Sequence, residues 1–294
     1  MYQELKHCLI CNEELIQVFD LGQQFVIDFV KERDESLLKV PLILMRCNSC
    51  SFIQLKYRVN PDRLYKKFWY RSGINEQMRE ELCTIARKAV ATIEMEPGDK
   101  VLDIGCNDGT LLGWYDKRTT TFGIDPCAEL VDEGIKEGRL DVGIGDYFSE
   151  DAIKEYSRTL GVDMPKFKII TAIAMFYDVS DPVRFLKDCK KVLHDEGVLV
   201  IQMNYLVKML EDTAFDNICA EHLAYYSVTT LSTAIEKAGL DLQGIEQSPC
   251  NGGSIRAYIT HKGFDKFCIK HHNDKLWLYS KSRMLMVEEM HKGI

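Results

Sequence analysis

A chain of 294 residues with 46% hydrophobic and 28% charged side chains is long enough for one large core plus a small satellite, and nothing in it has a disordered composition. The formal charge of −8, with acids and bases interleaved, argues against a dedicated nucleic-acid or membrane-surface protein and leaves a small molecule as the expected partner. The N-terminal MYQELKHCLICNEEL carries charges where a leader needs an apolar stretch, and the longest weakly polar run, IITAIAMFY at 169–177, is too short to cross a bilayer. A soluble cytoplasmic protein is expected.

The first element in chain order is a pair of cysteine turns. Eleven cysteines, seven of them scattered singly, do not suit an extracellular disulfide framework. The other four form Cys8-Leu9-Ile10-Cys11 and Cys47-Asn48-Ser49-Cys50. Two such turns supply the four thiolates of a closed tetrahedral zinc site, a stronger expectation than redox pairs or incidental buried thiols. With no open position and no base nearby, the ion would be structural. Residues 12–46 look too few for a core of their own, so the ion is expected to hold a zinc-binding module over 1–60 together.

From Pro61 the pattern changes. Ile74, Met78, Leu82, Ile85, Ala89 and Ile93 recur at helical spacing, and Pro97-Gly98 stops the run. This predicts a helical connector over 61–96 that contributes to the substrate site. Beyond it, short apolar runs at 100–105, 120–125, 141–146, 167–174 and 197–203 alternate with amphipathic stretches such as AELVDEGIKEG and PVRFLKDCKKVLHDEG. Such alternation predicts an α/β fold with a doubly wound, mostly parallel sheet over 97–262. Two later runs, 241–247 and 254–261, joined by SPCNGG, extend it at one edge.

In such sheets ligands sit outside the carboxyl ends of the strands. The first strand enters VLDIGCNDGTLL, where Gly105 and Gly109 allow a sharp turn and a close backbone approach, and a helix begins near Thr110. Asp125, twenty residues after Gly105, ends the second strand where a carboxylate can accept ribose hydroxyls. A dinucleotide site requires Gly-x-Gly-x-x-Gly, but this loop reads Gly105-x-Asn107-x-Gly109. S-adenosylmethionine has no phosphate to cradle, and the acidic Asp103 suits its charged amino group.

VLDIGCNDGTLL, followed by GIDP and GDYF, resembles the motifs of class I S-adenosylmethionine-dependent methyltransferases, which have a Rossmann-like fold. The resemblance implies that Asp103, Gly105, Asn107 and Gly109 line the methionine and ribose part of the cofactor. It further implies that Asp125 holds the ribose hydroxyls, that Asp146 lies near the adenine and that Met175 follows the fourth strand. Taken alone, Asp146 and Met175 read equally well as a capping acid and a core methionine. The paired cysteines, FWYRSGINEQMRE, EHLAYYS and NGGSIRAY together resemble the zinc-containing sugar C-methyltransferases, which act on nucleotide-linked keto-deoxysugars.

That chemistry needs a carbon nucleophile, so a proton beside a ketone must leave while the oxygen is stabilised as an enolate. His222 fits the base. Glu221 would orient it or hold substrate, Tyr70 would donate to the oxyanion, and Tyr225 and Tyr226 would shape the sugar pocket. Asn251, Gly252 and Gly253 would bring backbone amides to the same ligand. This chain departs from the family at Cys219-Ala220, where its relatives carry Tyr-His, and after the fourth strand, where Tyr177 and Asp178 stand in place of a histidine. By the same resemblance, 263–294 would be the helical start of a C-terminal domain most of which the chain lacks. An O- or N-methyltransferase on another small metabolite, or a non-catalytic cofactor-binding subunit that needs a partner, are the alternative functions. Nothing in the residues sets an oligomeric state.

Overall fold

The computed structural model describes residues 1–26 and 37–264, together with the backbone of 276–278. Its N-terminal part contains β1 (Tyr2–Glu4), β2 (Leu15–Phe25), β3 (Lys39–Cys47), β4 (Ile53–Leu55) and β5 (Tyr57–Val59). The connector holds α1 (Pro61–Tyr65), which Asn60 caps by accepting from the Asp62 amide, and α2 (Glu76–Thr92), which Asn75 caps in the same way from Met78. Leu82, Ile85, Ala86 and Ala89 form the buried face of α2. Ile74, expected on that face, falls in a turn ahead of the cap and is exposed.

The expected alternation then follows, with one exception: β6 (Lys100–Ile104), β7 (Thr120–Ile124), α3 (Ala128–Lys136), β8 (Val142–Ile144), α4 (Glu150–Leu160), β9 (Phe167–Ile173), α5 (Pro182–Val192) and β10 (Leu193–Asn204). The helix expected to begin near Thr110 is only a single 3-10 turn, Leu112–Trp114, because Tyr115 leaves it in an extended conformation and the chain goes straight on to β7. α5 is shorter than its amphipathic pattern suggested. Leu193 is fully buried and already pairs with Phe167, so the strand begins where the helix was expected to continue. After β10 come α6 (Leu206–Glu211), β11 (Ala224–Tyr225), α7 (Val228–Ala238), β12 (Leu240–Ser248), β13 (Ser254–His261) and β14 (Leu276–Leu278). The helix expected over 263–294 lies largely outside the described residues, and 276–278 is a strand antiparallel to β12.

The main sheet has the order β14-β12-β13-β10-β9-β6-β7-β8. The strands β8, β7, β6, β9 and β10 run parallel, and β13 is antiparallel to both β10 and β12. The chain moves outward from β6 to β8 and then returns to β9 on the opposite side of β6. This reversal opens a crevice at the carboxyl ends of β6 and β9, the place where α/β sheets bind ligands.

A second sheet has the order β11-β4-β3-β2. Its edge strand β11 was not foreseen: Ala224 and Tyr225 pair with Gln54 and Ile53. Residues 12–46 were expected to lack a core, yet Val40, Leu42 and Leu44 of β3 are buried. The partners they need come from far away in the chain, since Leu42 and Leu44 share a cluster with Leu223 and Tyr225, and Val40 shares one with Ala220. Among the described residues, no helix is long and apolar enough to cross a membrane.

Candidate active site and metal centre

The two cysteine turns repeat one backbone design. Cys8 N donates to Glu13 O (3.0 Å) and Cys47 N to Phe52 O (2.8 Å), while Asn12 N and Ser51 N return to the carbonyls of Cys8 and Cys47. Asn12 (φ 64°) and Ser51 (φ 61°) take the left-handed conformation that turns the chain after each second cysteine. Ile10 N and Cys50 N each point at the sulfur of the first cysteine of their own turn, at 3.4 Å. All four Sγ atoms lie within 4.8 Å of one another, with Cys11–Cys47 at 3.3 Å and Cys8–Cys50 at 3.6 Å. A tetrahedral ion with metal–sulfur bonds of about 2.3 Å requires sulfurs about 3.8 Å apart, so the cluster fits one such ion. Burial pushes the Cys8 thiol up to about 11. At Cys47 burial is outweighed by hydrogen bonds from the Cys50 amide and the Cys11 thiol, which bring it down to about 7.

Loop 105–109 bends as its glycines predict. Gly105 has φ 72° and a Cβ there would come 3.1 Å from Met175 Cγ; Gly109 has φ 74° and its Cβ would collide with Leu140. Asp103 is buried at the end of β6 and accepts from Thr171 Oγ1 at 2.6 Å. Burial raises its carboxyl to about 7. Asp125, at the end of β7, accepts from the amides of Asn107 (3.0 Å) and Cys127 (2.8 Å), one on each oxygen. Each oxygen retains a second lone pair for a ligand hydroxyl. Asp146 is exposed after β8 and accepts from its neighbour's amide, Tyr147 N. The glycine cradle, the buried acids and the exposed carboxylate at successive strand ends fit S-adenosylmethionine.

The side chain of Asn107 also ties the connector to the glycine loop. Its Oδ1 accepts from Ser72 N (3.0 Å) and Asp108 N (2.9 Å), and its Nδ2 donates to Tyr70 O (3.0 Å). Asp108 accepts from Gly73 N at 3.0 Å, and Arg71 pairs with Glu133 on α3 at 2.9 Å. The segment around Tyr70 is thus fastened over the glycine loop. No spacing in the chain signals this, because the partners lie thirty-five or more residues apart.

His222 packs against Tyr177, in the turn that follows β9. Its Nδ1 lies 2.9 Å from the carbonyl of Asn217, and its ring lies 4.4 Å, centroid to centroid, from that of Tyr177. A carbonyl can only accept, so Nδ1 carries the proton and Nε2 the lone pair. Burial lowers the imidazole below its ordinary value, favouring the neutral form. The backbone carbonyl of Glu221 accepts from Tyr65 (3.3 Å), whose phenol lies beside Asp178; burial, partly offset by that phenol, holds the Asp178 carboxyl well above the carboxylate range.

Tyr225 and Tyr226, expected to shape a sugar pocket, are buried with their hydroxyls closed off from solvent. Tyr226 packs between Phe52 of the cysteine-bearing part (4.9 Å) and Phe176 (5.2 Å). The period of two in β11 explains why both cannot face one cleft. Asn251 (φ 52°) and Gly252 (φ 76°) form an exposed turn ahead of β13, and a Cβ at Gly252 would come 4.0 Å from Asn217, the residue that holds His222. Tyr65, Asn217 and Tyr177 were not assigned roles from the sequence, because each acts through a partner distant in the chain.

Comparison with known families gives two matches. A family described as "Methyltransferase domain" matches residues 74–244, and one described as "Putative zinc binding domain" matches residues 8–65. The chain is 24% identical to the C-methyltransferase NovU of Streptomyces niveus over 226 residues, covering 76% of this chain and 52% of that protein. It is 28% identical over 130 residues to the ubiquinone biosynthesis O-methyltransferase of Haemophilus ducreyi, covering 38% of this chain and 55% of that one. The chain therefore spans about half the length of the curated relatives it matches. Among solved structures it is similar to the plantazolicin methyltransferase BamL, with 14% identity, a TM-score of 0.49, and coverage of 63% of this chain and 85% of that one.

Proposed function

We propose, from the premise that this chain belongs to the methyltransferase-domain family and has the class I methyltransferase fold, that it methylates a carbon of a nucleotide-linked keto-deoxysugar. When bound, S-adenosylmethionine supplies an electrophilic methyl group. Asp103, Gly105, Asn107, Gly109, Asp125, Asp146 and Met175 would hold it, the last by packing on the loop at Gly105. The observation that carries the proposal is His222, a half-buried imidazole whose Nδ1 is committed to Asn217 O and whose Nε2 is left as a base. Neutral imidazole can take the proton next to a ketone, whereas an imidazolium could not.

Two observations favour carbon over a heteroatom as acceptor. The similarity to a C-methyltransferase runs over 76% of the chain and so takes in more than the cofactor domain. The similarity to O-methyltransferases is confined to 38%. In this proposal Tyr70 closes the cleft above the glycine loop, Asn251 and Gly252 border it near Asn217, and Glu221 holds substrate or orients His222. Tyr225 and Tyr226 would shape the pocket only by movement of β11. Cys8, Cys11, Cys47 and Cys50 hold one structural zinc ion.

The test is transfer of labelled methyl to a panel of nucleotide-linked 4-keto-sugars, with NMR locating the new methyl. Label on carbon is expected, and His222→Ala should keep cofactor affinity while transfer falls roughly 100-fold or more. Label on oxygen or nitrogen would replace the proposal with the heteroatom chemistry of the second group of relatives.

A further inference from the structure

An enolate mechanism needs a hydrogen-bond donor as much as a base, and the donor must lie within reach of the atoms that the base attacks. Tyr70, expected to be that donor, belongs to the segment over the glycine loop and its ring lies against Phe68 and Trp69, so the remaining candidates are the four phenols about the segment that carries His222: Tyr65, Tyr177, Tyr225 and Tyr226. The hydroxyl of Tyr65 is spent on the carbonyl of Glu221. Those of Tyr225 and Tyr226 are closed off from solvent, and the ring of Tyr226 is wedged between two phenylalanines.

Tyr177 differs from all three. Its ring lies against the imidazole of His222, tilted by 59°. Only 8% of the residue is exposed, yet its hydroxyl makes no hydrogen bond among the described residues and is not one of the closed-off oxygens. Tyr177 therefore has an unspent donor beside the base. A short turn fixes the residue at the end of β9, where Asp178 N donates to Met175 O at 3.0 Å, so its distance from the cofactor loop is set by the sheet. Burial pushes the phenol well above its ordinary value, so that it keeps its proton.

We propose that the hydroxyl of Tyr177 donates a hydrogen bond to the acceptor oxygen that becomes negatively charged when His222 removes the neighbouring proton. The inference rests on His222 being the base of a carbon methylation. The carbon's proton passes to Nε2 of His222, and the electron pair it leaves moves onto the carbonyl oxygen, where Tyr177 stabilises it without giving up its own proton. The pair returns as the carbon takes the methyl group, which leaves a neutral thioether on the donor, and the proton on His222 goes to solvent.

The experiment follows exchange of the proton beside the ketone in deuterated water, with wild-type protein, S-adenosylhomocysteine and the nucleotide-linked 4-keto-sugars. Tyr177→Phe, which keeps the ring against His222, should slow this exchange and kcat roughly 100- to 1,000-fold, with KM and S-adenosylhomocysteine affinity nearly unchanged. Tyr177→Leu should be no slower in exchange than Tyr177→Phe, because both lack the hydroxyl. Full-rate exchange in Tyr177→Phe, or a loss matched by an equal loss of S-adenosylhomocysteine affinity, overturns the role of the hydroxyl. Wild-type protein that neither exchanges nor methylates at carbon overturns the keto-sugar proposal instead, and this inference with it.

Discussion

Asp103 shows how a single carboxylate can join stability to ligand binding. Burial raises it to about 7, so the folded chain holds a proton that the unfolded chain releases in the ordinary carboxylate range. The unfolded state binds fewer protons throughout that interval, and the stability Asp103 contributes is present at acidic pH and lost as pH rises through about 7. Asp103→Asn should remove that slope from the melting temperature measured between about pH 5 and pH 8. If the carboxylate faces the positive charges of S-adenosylmethionine, wild-type affinity for it should rise with pH through about 7, and calorimetry should find Asp103→Asn weaker and flat. A wild-type melting profile with no such slope would show that Asp103 is already ionised.

Among the elements, β11 has the largest consequences for its size. Its two residues pair with β4, and Leu55 N donates to Leu223 O at 2.8 Å, so the segment that carries His222 is hydrogen-bonded to the sheet of the cysteine-bearing part. Gln54, fully buried, extends the link by accepting from Leu9 N at 2.9 Å, between the cysteines of the first turn. Stripping the zinc ion proposed for the four cysteines with a chelator should release both turns and raise hydrogen exchange at the Leu55 amide by roughly tenfold or more, while amides of β9 stay protected. Unchanged protection at Leu55 would mean that the ion does not hold β4 and β11 together. Phe52→Ala should cost about 3–5 kcal/mol in denaturant unfolding, because it empties the contact with Tyr226 in a fully buried site.

At the scale of the whole molecule, one buried cation joins the connector to the far edge of the main sheet. Arg256 of β13, 1% exposed, donates to Glu81 of α2 (2.9 Å), Glu246 of β12 (2.9 Å) and Gln202 of β10 (2.8 Å). Lys88 of α2 also pairs with Glu246. Replacing Arg256 with Met would leave the carboxylates without their shared partner and should destabilise the protein by about 3–5 kcal/mol. The double variant that adds Glu81→Gln should recover much of that loss, since Glu246 keeps Lys88 and the carboxylate that lost its cation is then gone. Recovery failing in equilibrium unfolding would put the cost in packing.

The order of strands from 100 to 261, and of the helices after β7, was readable from the chain because its signals are local. Apolar runs of strand length, capped amphipathic helices and Pro97-Gly98 each depend on residues a few positions apart. The four cysteines and the turn at Gly105 are legible for the same reason: ligand spacing and φ are properties of short stretches. Only the tertiary structure decided what crosses the chain. Asn107 is occupied by residues 70–72, residues 224–225 complete a sheet begun at residue 15, Tyr226 lies in a core instead of a cleft, and Tyr177 stands beside His222. Period and composition describe one element at a time, whereas such contacts are set by which faces the sheet brings together once the chain has folded back on itself.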